Sequence, residues 1–181
     1  MTLNTNSRIC TIGEIIDLMA PEAKGPARSG LESRLMRWTR DGIFLVARTQ
    51  VGRGRARQYT TAEAVLVAIG HKLQMAGLRN DAIENITVAL RSDIEHQPGA
   101  NVVDLAVDFV RMGEPKSEGQ RSAMDSDCLA AFIRVGSTDI WHPLRPKRVG
   151  TAVSAADIAQ HEASITLNLR LVLMPLRTLL M

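Results

Sequence analysis

Residues 31–44 read Leu-Glu-Ser-Arg-Leu-Met-Arg-Trp-Thr-Arg-Asp-Gly-Ile-Phe, and the fold turns on them. Leu31, Leu35 and Trp38 recur at i, i+4 and i+7, which gives one apolar stripe of an amphipathic helix. Ser33, Arg34, Arg37 and Arg40 then fall on the opposite side, the arginines stepping by three along one edge of a helix with 3.6 residues per turn. The helix starts near Ala27 or Ser29. Gly42 stands where a helix exit needs a left-handed residue.

Upstream, Thr11 and Glu14 have capping-box spacing, and Ile12, Ile15, Ile16 and Met19 predict a short helix to about Ala20. Residues 1–10 read as polar and loose, and Pro21, Gly25 and Pro26 as a breaking loop. Downstream, Ile43–Arg48 and Arg55–Thr60 read as two strands of a hairpin whose turn holds Gly52 and Gly54. Thr60 and Glu63 repeat the capping-box spacing. The helix behind them turns Val65, Leu66, Ile69 and Leu73 inward and ends near Gly77. A further helix carries Ile83, Ile86, Leu90 and Ile94 and stops at Pro98-Gly99.

Beyond residue 100 the spacing predicts a helix over Val102–Met112, a polar connection over Gly113–Asp127 and a strand over Leu129–Val135. Ser137–Gly150 reads as loop around a packed Trp141, and Ser154–His161 as a short capped helix. Ile165, Leu167, Leu169, Leu171 and Leu173 alternate with their neighbours, which predicts a strand with one apolar face. Such a face needs a cover, and a second copy of the chain is the expected one.

The formal charge of +3 hides a concentration. Between Ala27 and Arg57 eight arginines face only Glu32 and Asp41, a field suited to a polyanion. Arginine binds guanine O6 and N7 with two hydrogen bonds, and the first residues of a recognition helix reach deepest. Ser33, Arg34 and Arg37 are therefore the candidates for base contact. Arg28 and Arg40, with Arg53 and Arg55 at the glycine-rich turn, are candidates for phosphate or minor-groove contact.

Four pieces in order carry a resemblance: Thr11-Ile12-Gly13-Glu14-Ile15-Ile16, Leu35 to Phe44, Arg57-Gln58-Tyr59-Thr60, and Leu73-Gln74-Met75-Ala76-Gly77-Leu78-Arg79. Together they resemble the MerR-type DNA-binding domain over roughly residues 8–95. The resemblance implies a winged helix-turn-helix and a backbone contact by Arg57 and Tyr59. The family's metal-binding cysteines have no counterpart, so effector sensing does not carry over. Nor does a long helix follow residue 95 to build the family's coiled-coil dimer.

The other features predict little chemistry. Cys10 and Cys128 lack a second ligand at metal spacing and read as buried thiols, with no metal or cofactor expected. The four histidines read as ordinary surface or cap residues, and no phosphate loop or nucleophile elbow predicts an enzyme. The N-terminal residues have no signal-peptide pattern and no stretch has the length of a membrane span, so a cytoplasmic protein is expected.

The expectation is thus a mainly α chain, with a winged helix-turn-helix at 8–96 and a small α+β domain at 100–181 for dimerisation or partner binding. On this division a chain ending at Gln97 keeps its fold. The expected function is sequence-specific transcriptional regulation on double-stranded DNA by a homodimer. An excisionase-like architectural binder and a protein-interaction adaptor are the alternatives. Five to eight phosphate contacts per dimer, by estimate, make log K fall against log salt with a slope of about −5 to −7. An affinity for duplex DNA that stays flat from low to physiological salt would remove the arginine cluster as a DNA footprint.

Overall fold

The computed structural model describes residues 9–47, 57–99, 101–112, 117–119, 129–134, 141–144, 156 and 163–181. These residues are mainly helical. Most of the predicted polar connection, the predicted hairpin turn, Cys128 and most of the predicted helix at 154–161 lie outside them.

The chain enters through β1 (Ile9–Thr11), which pairs antiparallel with β2 (Gln58–Thr60) in the register Ile9 with Thr60 and Cys10 with Tyr59. Each strand runs directly into a helix, β1 into α1 (Ile12–Met19) and β2 into α3 (Thr61–Met75). Thr11 and Thr60 each end a strand and cap a helix. The Thr11 hydroxyl accepts from Glu14 N at 3.3 Å, and the Glu14 carboxylate accepts from Thr11 N at 2.6 Å, so this capping box is complete. The Thr60 hydroxyl likewise accepts from Glu63 N at 3.2 Å. Of the segment predicted as loose, Ile9 and Cys10 belong to a strand, and residues 1–8 lie outside the described residues.

α2 (Gly25–Arg40) begins earlier than predicted, because Pro26 lies in its first turn. A helix leaves its first N–H groups unbonded, so a proline there removes nothing. Leu31, Leu35 and Trp38 are buried as the stripe requires. The helix ends at Gly42 with φ +83°. Ile43 N bonds back to Trp38 O at 2.9 Å and Gly42 N to Thr39 O at 3.3 Å, a Schellman exit. Gly77, φ +96°, ends α3 with the same pair of bonds.

α3 is buried from Thr61 through His71 and forms the axis of the core. At Gly70 a Cβ would stand 2.8 Å from Phe44 Cζ and 3.2 Å from Ile83 Cγ2, so only glycine lets that ring in. Phe44 also packs against Trp38 with ring centroids 5.4 Å apart. α4 (Asn80–His96) and α5 (Val102–Met112) follow and pack on α3. Asn101 caps α5, accepting from Val103 N and Asp104 N at 3.0 and 3.1 Å.

β3 (Leu129–Arg134), β4 (Trp141–Leu144) and β5 (Ser164–Asn168) make an antiparallel sheet in the order β4-β3-β5. β4 lies within the stretch predicted as loop. The strand predicted over Ile165–Leu173 stops at Asn168, whose side chain accepts from Leu171 N at 3.2 Å and caps α6 (Leu169–Leu173). A 3-10 turn (Met174–Leu176) and α7 (Arg177–Leu180) complete the chain. Leu169, Val172, Leu173, Leu176, Leu179 and Leu180 are buried, and that spacing is helical. Leu171, counted in the alternation as a face residue, is 66% exposed.

These last turns pack on α1, α3 and α5, and the Thr61 hydroxyl donates to Leu179 O at 3.3 Å. One buried cluster runs from Cys10 to Leu180 and crosses the division predicted between residues 96 and 100. Of the apolar face expected to meet a second copy, Leu169 and Leu173 are buried in the chain's own core, Ile165 and Leu167 are half-buried and Leu171 is exposed. Six buried aliphatic side chains contribute roughly 1.5–3 kcal/mol each. That is as large as a typical domain's net stability of about 5–15 kcal/mol. A chain ending at Gln97 is therefore expected to lose cooperative unfolding, contrary to the sequence reading. Urea unfolding followed by circular dichroism checks this, and a truncated chain with the full-length midpoint would overturn it.

Candidate nucleic-acid interface

α2 presents its basic side outward because its other side is committed to the core. Ser33, Arg34, Arg37 and Arg40 are all exposed. Ser33, Arg37 and Arg40 line an open concave surface of about 540 Å³, and Arg57 closes it from the strand side. The Arg57 guanidinium donates to Met36 O at 3.2 Å, which ties the start of β2 to the middle of α2. Ser29, Glu32 and Met36 line the same groove, and the sequence reading assigned them no role. Their signal was present: positions 29, 32 and 36 follow the same three- and four-residue helical spacing as 33, 37 and 40.

The remaining predicted site residues stand elsewhere. Arg34 does not line the groove; its charge bears on His71 of α3. Arg28 is half-buried and ion-paired to Asp17 of α1, and its hydrogen bond holds the Asp17 carboxyl below the usual carboxylate range. Tyr59 is buried at 1% exposure, with its hydroxyl 2.7 Å from that of Thr39. Its backbone partners β1 and its ring belongs to the core, so it positions Arg57 rather than reaching outward. Burial pushes the Tyr59 hydroxyl pKa up. Arg53 and Arg55 lie outside the described residues.

His71, predicted as a surface or cap residue, is buried with its Nδ1 lacking a hydrogen-bond partner. Burial first, then the charges of Lys72 and Arg34, lower its pKa, against a smaller opposite effect of Glu22. His96, by contrast, is exposed near the end of α4, its Nδ1 2.8 Å from Ser92 O.

The exit from α2 is clamped by side chains. Glu63, at the start of α3, accepts from Arg91 Nε at 2.8 Å, Arg91 Nη2 at 3.2 Å and Leu45 N at 3.0 Å. Arg91 also donates to Ile43 O at 3.0 Å. Glu63 thus supplies its own backbone N–H to the Thr60 cap while its carboxylate turns away to Arg91, leaving that capping box half made. The strand predicted from Ile43 is absent among the described residues 43–47, because side chains hold backbone groups a strand would use. One ladder-like bond remains, Ala47 N to Gln58 O at 2.7 Å.

Among the described residues no cluster of His, Cys, Asp and Glu could hold a metal, and no helix is long and apolar enough to cross a membrane. No protein-family model matches the chain, and no curated protein matches it.

The Glu63 and Arg91 side chains are only 9% and 17% exposed. Removing one partner of such a buried pair costs about 3–5 kcal/mol, because the other charge stays buried alone. Glu63→Gln and Arg91→Met are each expected to destabilise the protein, the double variant by less than their sum. Denaturant unfolding of the three variants measures the coupling; additivity within about 0.5 kcal/mol would show that the two side chains act independently.

Proposed function

We propose that this chain is a sequence-specific regulator of transcription that docks α2 in the major groove of double-stranded DNA. The observation that carries the reading is the groove itself. Ser33, Arg37 and Arg40 share one exposed helix face, and Arg57 is fastened beside them by the Met36 carbonyl. An α-helix fits the major groove, and arginine recognises guanine there with two hydrogen bonds. Arg57 and the wing arginines beyond it are suited to the phosphates that flank the groove.

Order and chemistry support a winged helix-turn-helix of the MerR-like kind: α1, α2, the wing segment and α3 follow the sequence of parts that the resemblance implies. The backbone role that the resemblance gives Tyr59 does not transfer, since Thr39 holds its hydroxyl. A single module of this size covers few base pairs. Two copies on half-sites about 34–36 Å apart give the usual two-fold arrangement, so the regulator acts as a homodimer.

Fluorescence anisotropy on duplexes selected from a randomised pool tests the reading. Arg37→Ala is expected to cost roughly 1–3 kcal/mol on the selected duplex and far less on a scrambled one. Arg34→Ala, off the groove, is expected to weaken both alike. Equal losses on the two duplexes for Arg37→Ala would remove it as a base reader, and a full-length chain that binds neither duplex would overturn the function.

A further inference from the structure

Glu32 sits in the arginine-lined groove, where a carboxylate works against binding any polyanion. On a helix its partners lie three and four residues away. Those positions hold Arg28, Ser29, Leu35 and Met36. Arg28 is the one cation of the four, and it is hydrogen-bonded to Asp17 across the α1–α2 junction. Among the described residues no ion pair holds Glu32, and it is exposed. Glu32 acts on Arg28 only through its charge, without a hydrogen bond, and it lines the groove together with Ser33 and Arg37.

A carboxylate only accepts hydrogen bonds, so on a major-groove edge it needs a donor. Two bases offer one there: cytosine through its N4 amino group and adenine through N6. Adenine sets the N7 acceptor next to that donor, and N7 repels a carboxylate. Guanine and thymine offer acceptors alone to it. The placement along the helix agrees, since Glu32 is in the first half of α2, the half that reaches deepest into the groove.

We propose that Glu32 is a specificity-determining residue that reads a cytosine, its carboxylate accepting the N4 amino hydrogen in the major groove. This rests on the DNA reading of α2 given above. Discrimination comes mainly from exclusion. Over any other base the unpaired carboxylate opposes the acceptors and phosphates around it, and that cost falls on every wrong site.

The test is selection with the full-length protein from a pool of short duplexes randomised at their centre, run in parallel for wild type, Glu32→Gln and Glu32→Ala. Glu32 is exposed, so both variants are expected to keep the wild-type thermal midpoint. Wild type is expected to retain duplexes with a cytosine at one position of each half-site, where any other base weakens binding roughly 5- to 150-fold. Glutamine bonds adenine N6 and N7 together, so Glu32→Gln is expected to change that position from cytosine to adenine. Glu32→Ala is expected to lose preference there alone and to bind scrambled duplex several times more tightly. If both variants retain the wild-type cytosine, Glu32 does not read it and this proposal falls while the DNA reading stands. If wild type retains no duplex above the random pool, the DNA reading falls and this proposal with it.

Discussion

The contact on which the interface depends is the buried ion pair between Glu63 and Arg91. It joins the start of α3 to α4, and both side chains also hold backbone atoms of the segment leaving α2, at Ile43 and Leu45. Two elements of the core thus hold the backbone that follows α2. An ion pair this enclosed contributes little net stability beyond what a packed apolar pair would give. What it provides is geometry, because two charged groups with shared hydrogen bonds tolerate few alternative arrangements. Arg57, the residue before β2, is then placed beside α2 with one bond to Met36.

The second half of the chain supports this from beneath. α6, the 3-10 turn and α7 bring Leu169, Leu173, Leu176 and Leu179 back onto helices from the first hundred residues. α3 accordingly has neighbours on several sides, which is why its residues from Thr61 to His71 are buried without the polar stripe of a surface helix. The three-stranded sheet adjoins α4 through β4. The Glu63–Arg91 clamp and the C-terminal turns therefore share one core, and a disturbance of either reaches the other through α3.

Local signals were legible in the sequence and long-range ones were not. The Thr11–Glu14 box, the left-handed exit at Gly42, the helix end near Gly77 and the Leu31, Leu35, Trp38 stripe depend on residues within a turn or two of each other, and each stands as read. Three-residue strands such as β1 carry no period, so nothing marked residues 9–11. Glu63 has the spacing of a capping box, but a partner 28 positions away claims its carboxylate. Leu169 to Leu173 satisfied two periods at once. Alternation favoured a strand, while the buried set 169, 172, 173 and 176 follows a helix, and Asn168 as a cap decided between them. For the site, the exposed arginines were legible from periodicity. The separation of Arg28 and Arg34 from Arg37 and Arg40 was not, since it depends on Asp17 and on α3.

Gly70 ties two distant positions together over the history of the sequence. Its missing side chain is filled by the ring of Phe44, with Ile83 behind it. Enlarging position 70 first forces the ring out, an overpacking that costs typically 1–3 kcal/mol. Shrinking Phe44 to alanine first leaves a void at about 3–5 kcal/mol. Either order of change passes through a weakened ancestor, so the two residues drift as a pair or not at all. Phe44 directly precedes Leu45, whose backbone N–H Glu63 holds, so the path of the chain out of α2 is inherited with that pair.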